Sequence, residues 1–169
     1  MKTSLATAIV MLTLAASQGA ILSAAPQAQK LPVTWTASPA AVRGAAGETV
    51  RVEITATIAE GWHLYSLTQV SPPDPTVIAV PDGQPFSLGG TIEGPVPETG
   101  FDEAQGATTE YYTEAVTFRI PVVSKGTTAP GDYKARITAR WTACNGSLCL
   151  RPQVATLDVP VQIVDKKYL

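Results

Sequence analysis

The chain has few of the residues on which chemistry is usually built. Of its 169 residues only two are cysteine, Cys144 and Cys149, and only one is histidine, His63. Both methionines, Met1 and Met11, fall in the first dozen residues, so a methionine-based copper site has no ligands in the body of the chain. Charged residues make up 15% of the sequence with a formal net charge of −2, below the usual quarter. A nucleic-acid partner would need a basic face, and none is present. One histidine and no nucleophile motif give serine-type hydrolysis nothing to stand on. Zinc held by Cys144, Cys149 and His63 would have three protein ligands at an unusual spacing. No metal and no other cofactor is therefore expected.

Long apolar runs are also missing. Lys2 supplies a positive start, Leu5 to Ala16 form an uncharged apolar run, and small residues follow at Ala15, Ser17, Gly19, Ala20 and Ala24. This is the three-part pattern of a secretory signal peptide. Ser17 and Gln18 end the run before the roughly 20 residues a membrane span requires, and no later stretch replaces it. Neither cysteine lies near the cleavage region, so a lipid-anchored amino terminus is not indicated. The reading is a signal peptide over about residues 1–24, cut between Ser17 and Ala25. One exported domain over 31–166 follows, without membrane insertion, in a compartment where a disulfide can form.

Strand patterns dominate what is present. Val50, Val52, Ile54, Ala56 and Ile58 alternate with Arg51, Glu53, Thr55 and Thr57, a period of two with one buried face. The alternation recurs at Val116–Val122, at Tyr133–Trp141 and at Leu157–Ile163. Shorter candidates are Val33–Ala37, Trp62–Leu67 and Thr76–Val80. Turn signals stand between them, including Glu60-Gly61, Pro72-Pro73-Asp74-Pro75 and Pro130-Gly131-Asp132. Seven or more short strands with Gly and Pro turns predict an all-β fold, an antiparallel immunoglobulin-like β-sandwich. The stretch Gly90–Thr113 breaks the rhythm with Pro95, Pro97, five acidic residues and one bulky apolar residue, Phe101, and reads as a long loop.

The cysteines bracket an Asn145-Gly146 turn between two strands. Directly paired residues of antiparallel strands approach within disulfide range. The stabilisation from closing so short a loop is about 2 kcal/mol on loop-closure entropy, and flanking strands reduce it. That weakens a purely structural role. A pair at a loop edge is also open to exchange.

The segment Trp141-Thr-Ala-Cys-Asn-Gly-Ser-Leu-Cys-Leu-Arg-Pro152 resembles the redox motif of the amino-terminal domain of the thiol:disulfide interchange protein DsbD family. Glu60-Gly-Trp-His-Leu-Tyr-Ser66 is similar to the strand that family sets beside its cysteines, and the order of segments from about Val33 to Val164 agrees. The resemblance implies an immunoglobulin-like domain that shuttles electrons. A membrane-embedded donor reduces it, and it passes reducing equivalents to periplasmic thioredoxin-fold proteins. It implies that Cys149 forms mixed disulfides and Cys144 resolves them. His63 and Tyr65 would flank the site, and Phe101, Asp102 and Glu103 would belong to a cap loop shielding the pair. The best-known members have one more residue between the cysteines and continue into further domains. Here the chain stops at Leu169, so the donor is expected on a separate polypeptide.

Two functions from different classes follow. One is thiol-disulfide exchange through Cys144 and Cys149, with His63 as a thiolate-stabilising cation or proton carrier. The other is a non-catalytic immunoglobulin-like binding module whose disulfide braces a hairpin and whose His63 merely packs beside Trp62 and Tyr65. The reduction potential separates them, because structural disulfides lie below about −300 mV.

Overall fold

A computed structural model describes residues 30–168, so the expected signal peptide lies outside the described residues. Twelve strands follow in order: β1 (Val33–Ser38), β2 (Val42–Ala45), β3 (Thr49–Ile58), β4 (His63–Tyr65), β5 (Val77–Ala79) and β6 (Phe86–Leu88). Then come β7 (Glu98–Asp102), β8 (Ala107–Tyr112), β9 (Ala115–Ser124), β10 (Gly131–Trp141), β11 (Ala143–Cys144) and β12 (Gln153–Val164). Among the described residues no helix is long and apolar enough to cross a membrane.

The four long alternating segments build the two main sheets. In the first, ordered β1-β3-β9-β6, the register sets Ile54 against Phe118 and Val52 against Ile120. In the second, ordered β2-β12-β10-β5, Ala135 faces Val159 and Ile137 faces Leu157. Because side chains alternate across a strand, these residues all fall on the inner faces, where they form one buried cluster with Phe86 and Trp141. The fold is the expected immunoglobulin-like β-sandwich. One pairing departs from antiparallel: β2 runs parallel to β12, with Val42 beside Val161.

A third, smaller sheet, ordered β11-β4-β8-β7, carries the cysteines. Ala143 and Cys144 pair with Leu64 and His63, and β4 pairs onward with β8. The supposed loop Gly90–Thr113 is therefore corrected: much of it is the hairpin β7–β8, with Phe101 opposite Thr108 and Asp102 opposite Ala107. Its buried residues are Asp102, Thr109 and Tyr112, with Tyr112 on the opposite face from the other two, so no aliphatic alternation announces it. A Cβ on Gly100 would stand 2.7 Å from the Tyr111 hydroxyl, so a larger residue there would push that ring aside.

The disulfide lies outside the buried apolar cluster. Its turn is also held without it: the Asn145 side chain accepts from the N–H groups of Ser147 and Leu148, and Leu150 N donates to Ala143 O. The closed loop contributes at most about 2 kcal/mol. A Cys144→Ser/Cys149→Ser variant should melt less than about 8 °C below the oxidised protein. Loss of the folded state at room temperature would show that the core depends on the bridge.

Candidate functional site

Cys144 and Cys149 form the disulfide expected of them. The two sulfurs occupy unlike surroundings. Cys144 ends the short strand β11 and is fully buried, while Cys149, past the turn, is half-buried. A loop-edge pair open to exchange was expected, and pairing of β11 with β4 is what takes Cys144 out of solvent.

Tyr65 and His63 share a side of β4 because they are two residues apart. The Tyr65 hydroxyl is fully buried and lies 2.6 Å from Asp102 Oδ2 and 2.8 Å from Cys144 Sγ. His63 Nε2 is 2.8 Å from the same carboxylate oxygen. An ionised carboxylate only accepts, so His63 donates through Nε2–H. The His63 ring sits edge-on to Tyr65 and leans against Tyr111, with centroids 5.4 and 5.0 Å away. His63 therefore has a polar partner beyond packing.

Asp102 joins these groups. Strand alternation in β7 turns it inward, leaving it 4% exposed, while its neighbour Phe101 turns outward and is 68% exposed. Oδ2 receives Tyr65 and His63, and Oδ1 accepts the N–H groups of Ala104 and Gln105. Those last bonds fix the β7–β8 turn, which Gly106 completes at φ 65°. Burial alone would raise the Asp102 carboxyl, but the hydrogen bonds from Tyr65 and His63 outweigh it and hold the group below the usual carboxylate range. Burial, reinforced by Asp102, pushes the Tyr65 hydroxyl far above its ordinary value. Tyr65 stays a neutral donor at any physiological pH.

The turn so fixed delivers a residue that sequence reasoning missed. The Gln105 side-chain amide donates to Cys149 Sγ at 3.1 Å and approaches Cys144 Sγ at 3.8 Å. Phe101 had been expected to bury against the hairpin. It lines instead, with Glu103, Tyr111 and Trp62, a groove of about 820 Å³ that reaches His63, Asp102 and Gly146. A possible signal for Gln105 was its place three residues after Asp102, inside a Gly-ended turn. One atom each from His63, Asp102 and Cys144 lies within 4.8 Å of the others. The hydrogen-bonded Tyr65 hydroxyl stands between Asp102 and Cys144, so these atoms are already partnered by protein.

Tyr65 and Asp102 thus lie buried against one sulfur with His63 part-buried beside them, and the other sulfur is half-open under an amide. The family model for the amino-terminal region of thiol:disulfide interchange protein DsbD matches residues 17–160. The chain belongs to this family. No curated protein matches the sequence. Among solved structures it is similar to the reduced DsbD amino-terminal domain of Neisseria meningitidis, at 19% identity and TM-score 0.45, over 69% of this chain and 82% of that one. It is also similar to the amino-terminal periplasmic domain of ScsB from Proteus mirabilis, at 17% identity and TM-score 0.51. That match covers 75% of this chain, which spans 44% of the ScsB chain. Membership in the DsbD amino-terminal family, together with the Cys144–Cys149 bridge, makes this a thiol-disulfide exchange domain.

The Asp102 carboxylate should leave a mark on stability. Its carboxyl is depressed in the folded state, so the contribution is fully present above the unfolded value near pH 4 and is lost as pH falls through the folded value. Stability of the wild type, measured by denaturant titration between roughly pH 6 and 2, should fall more steeply than that of Asp102→Asn. Equal acid slopes would mean that Asp102 is not held ionised by Tyr65 and His63.

Proposed function

We propose that this domain relays reducing equivalents in the periplasm, taking electrons from a membrane-embedded donor and giving them to thioredoxin-fold partners. The observation that carries the reading is the inequality of the two sulfurs. Cys149 is half-buried with an amide donor on it, and Cys144 is buried against Tyr65 and Asp102.

In the reduced domain a thiolate forms where the environment favours charge. At Cys144 desolvation and the ionised Asp102 both oppose it. At Cys149 partial exposure and the Gln105 N–H favour it. Cys149 therefore attacks one sulfur of the partner disulfide, forming a mixed disulfide and releasing one partner thiolate. Cys144 loses its proton and attacks Cys149 Sγ, closing the intramolecular bridge and releasing the second partner thiolate. Two electrons have then passed to the partner, whose two thiolates take up protons from solvent. The Cys144 proton leaves along the Tyr65 hydroxyl toward Asp102 and His63.

The return half-reaction reverses these steps. A donor thiolate attacks Cys149, and Cys144 departs as a buried anion. The Tyr65 hydroxyl, 2.8 Å from Cys144 Sγ, turns to donate to it. His63 and the N–H groups of Ala104 and Gln105 keep Asp102 partnered while the hydroxyl turns.

A non-catalytic binding module would have no use for this asymmetry. Each single-cysteine variant can be challenged with a mixed-disulfide-forming thioredoxin-fold protein. Cys144→Ser should accumulate a long-lived covalent complex through Cys149, and Cys149→Ser should form little. Trapping only through Cys144 reverses the assignment, and no complex from either variant returns the disulfide to a structural role.

A further inference from the structure

Exchange at the sulfurs leaves the groove beside them unexplained. His63, Asp102 and Gly146 of the cysteine turn all line it, so it lies beside the disulfide. Trp62, Phe101 and Tyr111 give it aromatic walls, Glu60, Glu103 and Glu114 give it carboxylates, and no lysine or arginine lines it. These three glutamates are exposed and have no ion-pair partner among the described residues, where the described pairs use Glu53, Asp74, Asp102 and Asp158.

The charge bias extends through the whole segment that builds the groove. Between Arg51 and Arg119 the chain has ten Asp or Glu and not one lysine or arginine. Every lining residue except Gly146 comes from that segment. Glu114 also sits at φ 59° with its carbonyl accepting from Ile58 N at 2.7 Å. That left-handed conformation is costly for any residue with a Cβ, yet the position carries a carboxylate on the groove wall. Phe101, 68% exposed, adds open apolar surface to the groove, and Leu148 of the cysteine turn is 54% exposed.

We propose that the groove is the docking site for a cationic segment of the partner protein, a lysine or arginine with an apolar neighbour close to the partner's own disulfide. The inference rests on the exchange reading. Aromatic faces and carboxylates together attract an ammonium or guanidinium group, and a cleft of one sign speeds encounter with the opposite sign. Docking there brings the partner disulfide to Cys149. The thiolate of Cys149 attacks one partner sulfur, Cys144 completes the bridge, and the partner leaves as a dithiol, with no further oxidant or reductant required.

Three synthetic peptides test this. Each has one intramolecular disulfide, and they differ only in the flanking residues, which are lysine, glutamine or glutamate. The protein is reduced with dithiothreitol, freed of it, and its reoxidation by each peptide is timed by acid quench and thiol alkylation. At low salt the lysine peptide should react about tenfold faster than the glutamate peptide, with glutamine between, and the spread should shrink at high salt. The Glu60→Gln/Glu103→Gln/Glu114→Gln variant should bring the three rates together, with its melt verifying the fold. Should that variant fold poorly, Glu60→Gln and Glu114→Gln alone must each narrow the spread. Equal rates in the wild type, a faster glutamate peptide, or a spread that survives the substitutions overturns the inference while leaving exchange intact. If no peptide reoxidises the dithiol, the exchange reading falls and this one with it.

Discussion

The arrangement of the site depends on one buried carboxylate. Asp102 is almost wholly withdrawn from solvent and yet ionised, a state tolerated only when its lone pairs are filled. It meets that demand with Tyr65 and His63 on one oxygen and the N–H groups of Ala104 and Gln105 on the other. The same four bonds orient the group beside Cys144 and shape the turn that carries Gln105 to Cys149. Replacing the carboxylate would thus disturb both sulfurs, by two separate routes from one residue. A neutral apolar side chain could fill the volume, but it would take away the acceptor that the Tyr65 hydroxyl, His63 and the N–H groups of Ala104 and Gln105 share.

The small sheet can tolerate such a polar centre because it is not asked to supply the core. The two large sheets bury Val52, Ile54, Phe118, Ile120, Ile137 and Val159 almost completely. The third sheet leans on them through Leu64, Tyr112 and Ala143. Tyr112 packs edge-on against Phe118, with centroids 5.7 Å apart. This division leaves β7, β8 and the cysteine turn free to use Asp, Thr, Glu and Gln inward or at the edge, where polar chemistry is needed.

The same division explains what the sequence disclosed. β3, β9, β10 and β12 were legible because each buries one face against apolar neighbours, which writes a period of two into Val, Ile and Ala. The cysteine motif and the Trp62-His63-Leu64-Tyr65 segment were legible through their resemblance to the DsbD amino-terminal family. The hairpin β7–β8 was not, because its buried residues Asp102, Thr109 and Tyr112 are split between two faces and mostly polar, and such a pattern looks like a loop. Phe101 drew attention as the bulky apolar residue of that stretch, and alternation in β7 turns its ring to solvent. Gln105 carried no signal of type, since an amide in a turn is ordinary. Only the bonds from Asp102 reveal where the turn aims it. The unequal burial of the two sulfurs was likewise hidden, because β11 is two residues long and its pairing with β4 spans some eighty positions of sequence.

On the exchange reading, the ionised Asp102 beside Cys144 has a consequence that runs in both directions. A thiolate at Cys144 would be desolvated and would face a like charge through one hydroxyl, so it is a poor leaving group until a proton or a hydrogen bond reaches it. An encounter with a small free thiol supplies neither, since the Tyr65 hydroxyl is engaged by Asp102 at 2.6 Å. On this reading the oxidised domain resists casual reductants for a reason of charge as much as of shape. In the donating direction the same repulsion keeps Cys144 protonated until Cys149 has entered a mixed disulfide. That order reserves the second attack for the mixed disulfide, where the partner supplies the oxidising equivalent. A docked partner that excludes water and lets the Tyr65 hydroxyl turn toward Cys144 lowers the barrier each way. Tyr65, which burial and Asp102 keep neutral, is suited to that exchange of hydrogen bonds because it never has to give up its own charge state to make it.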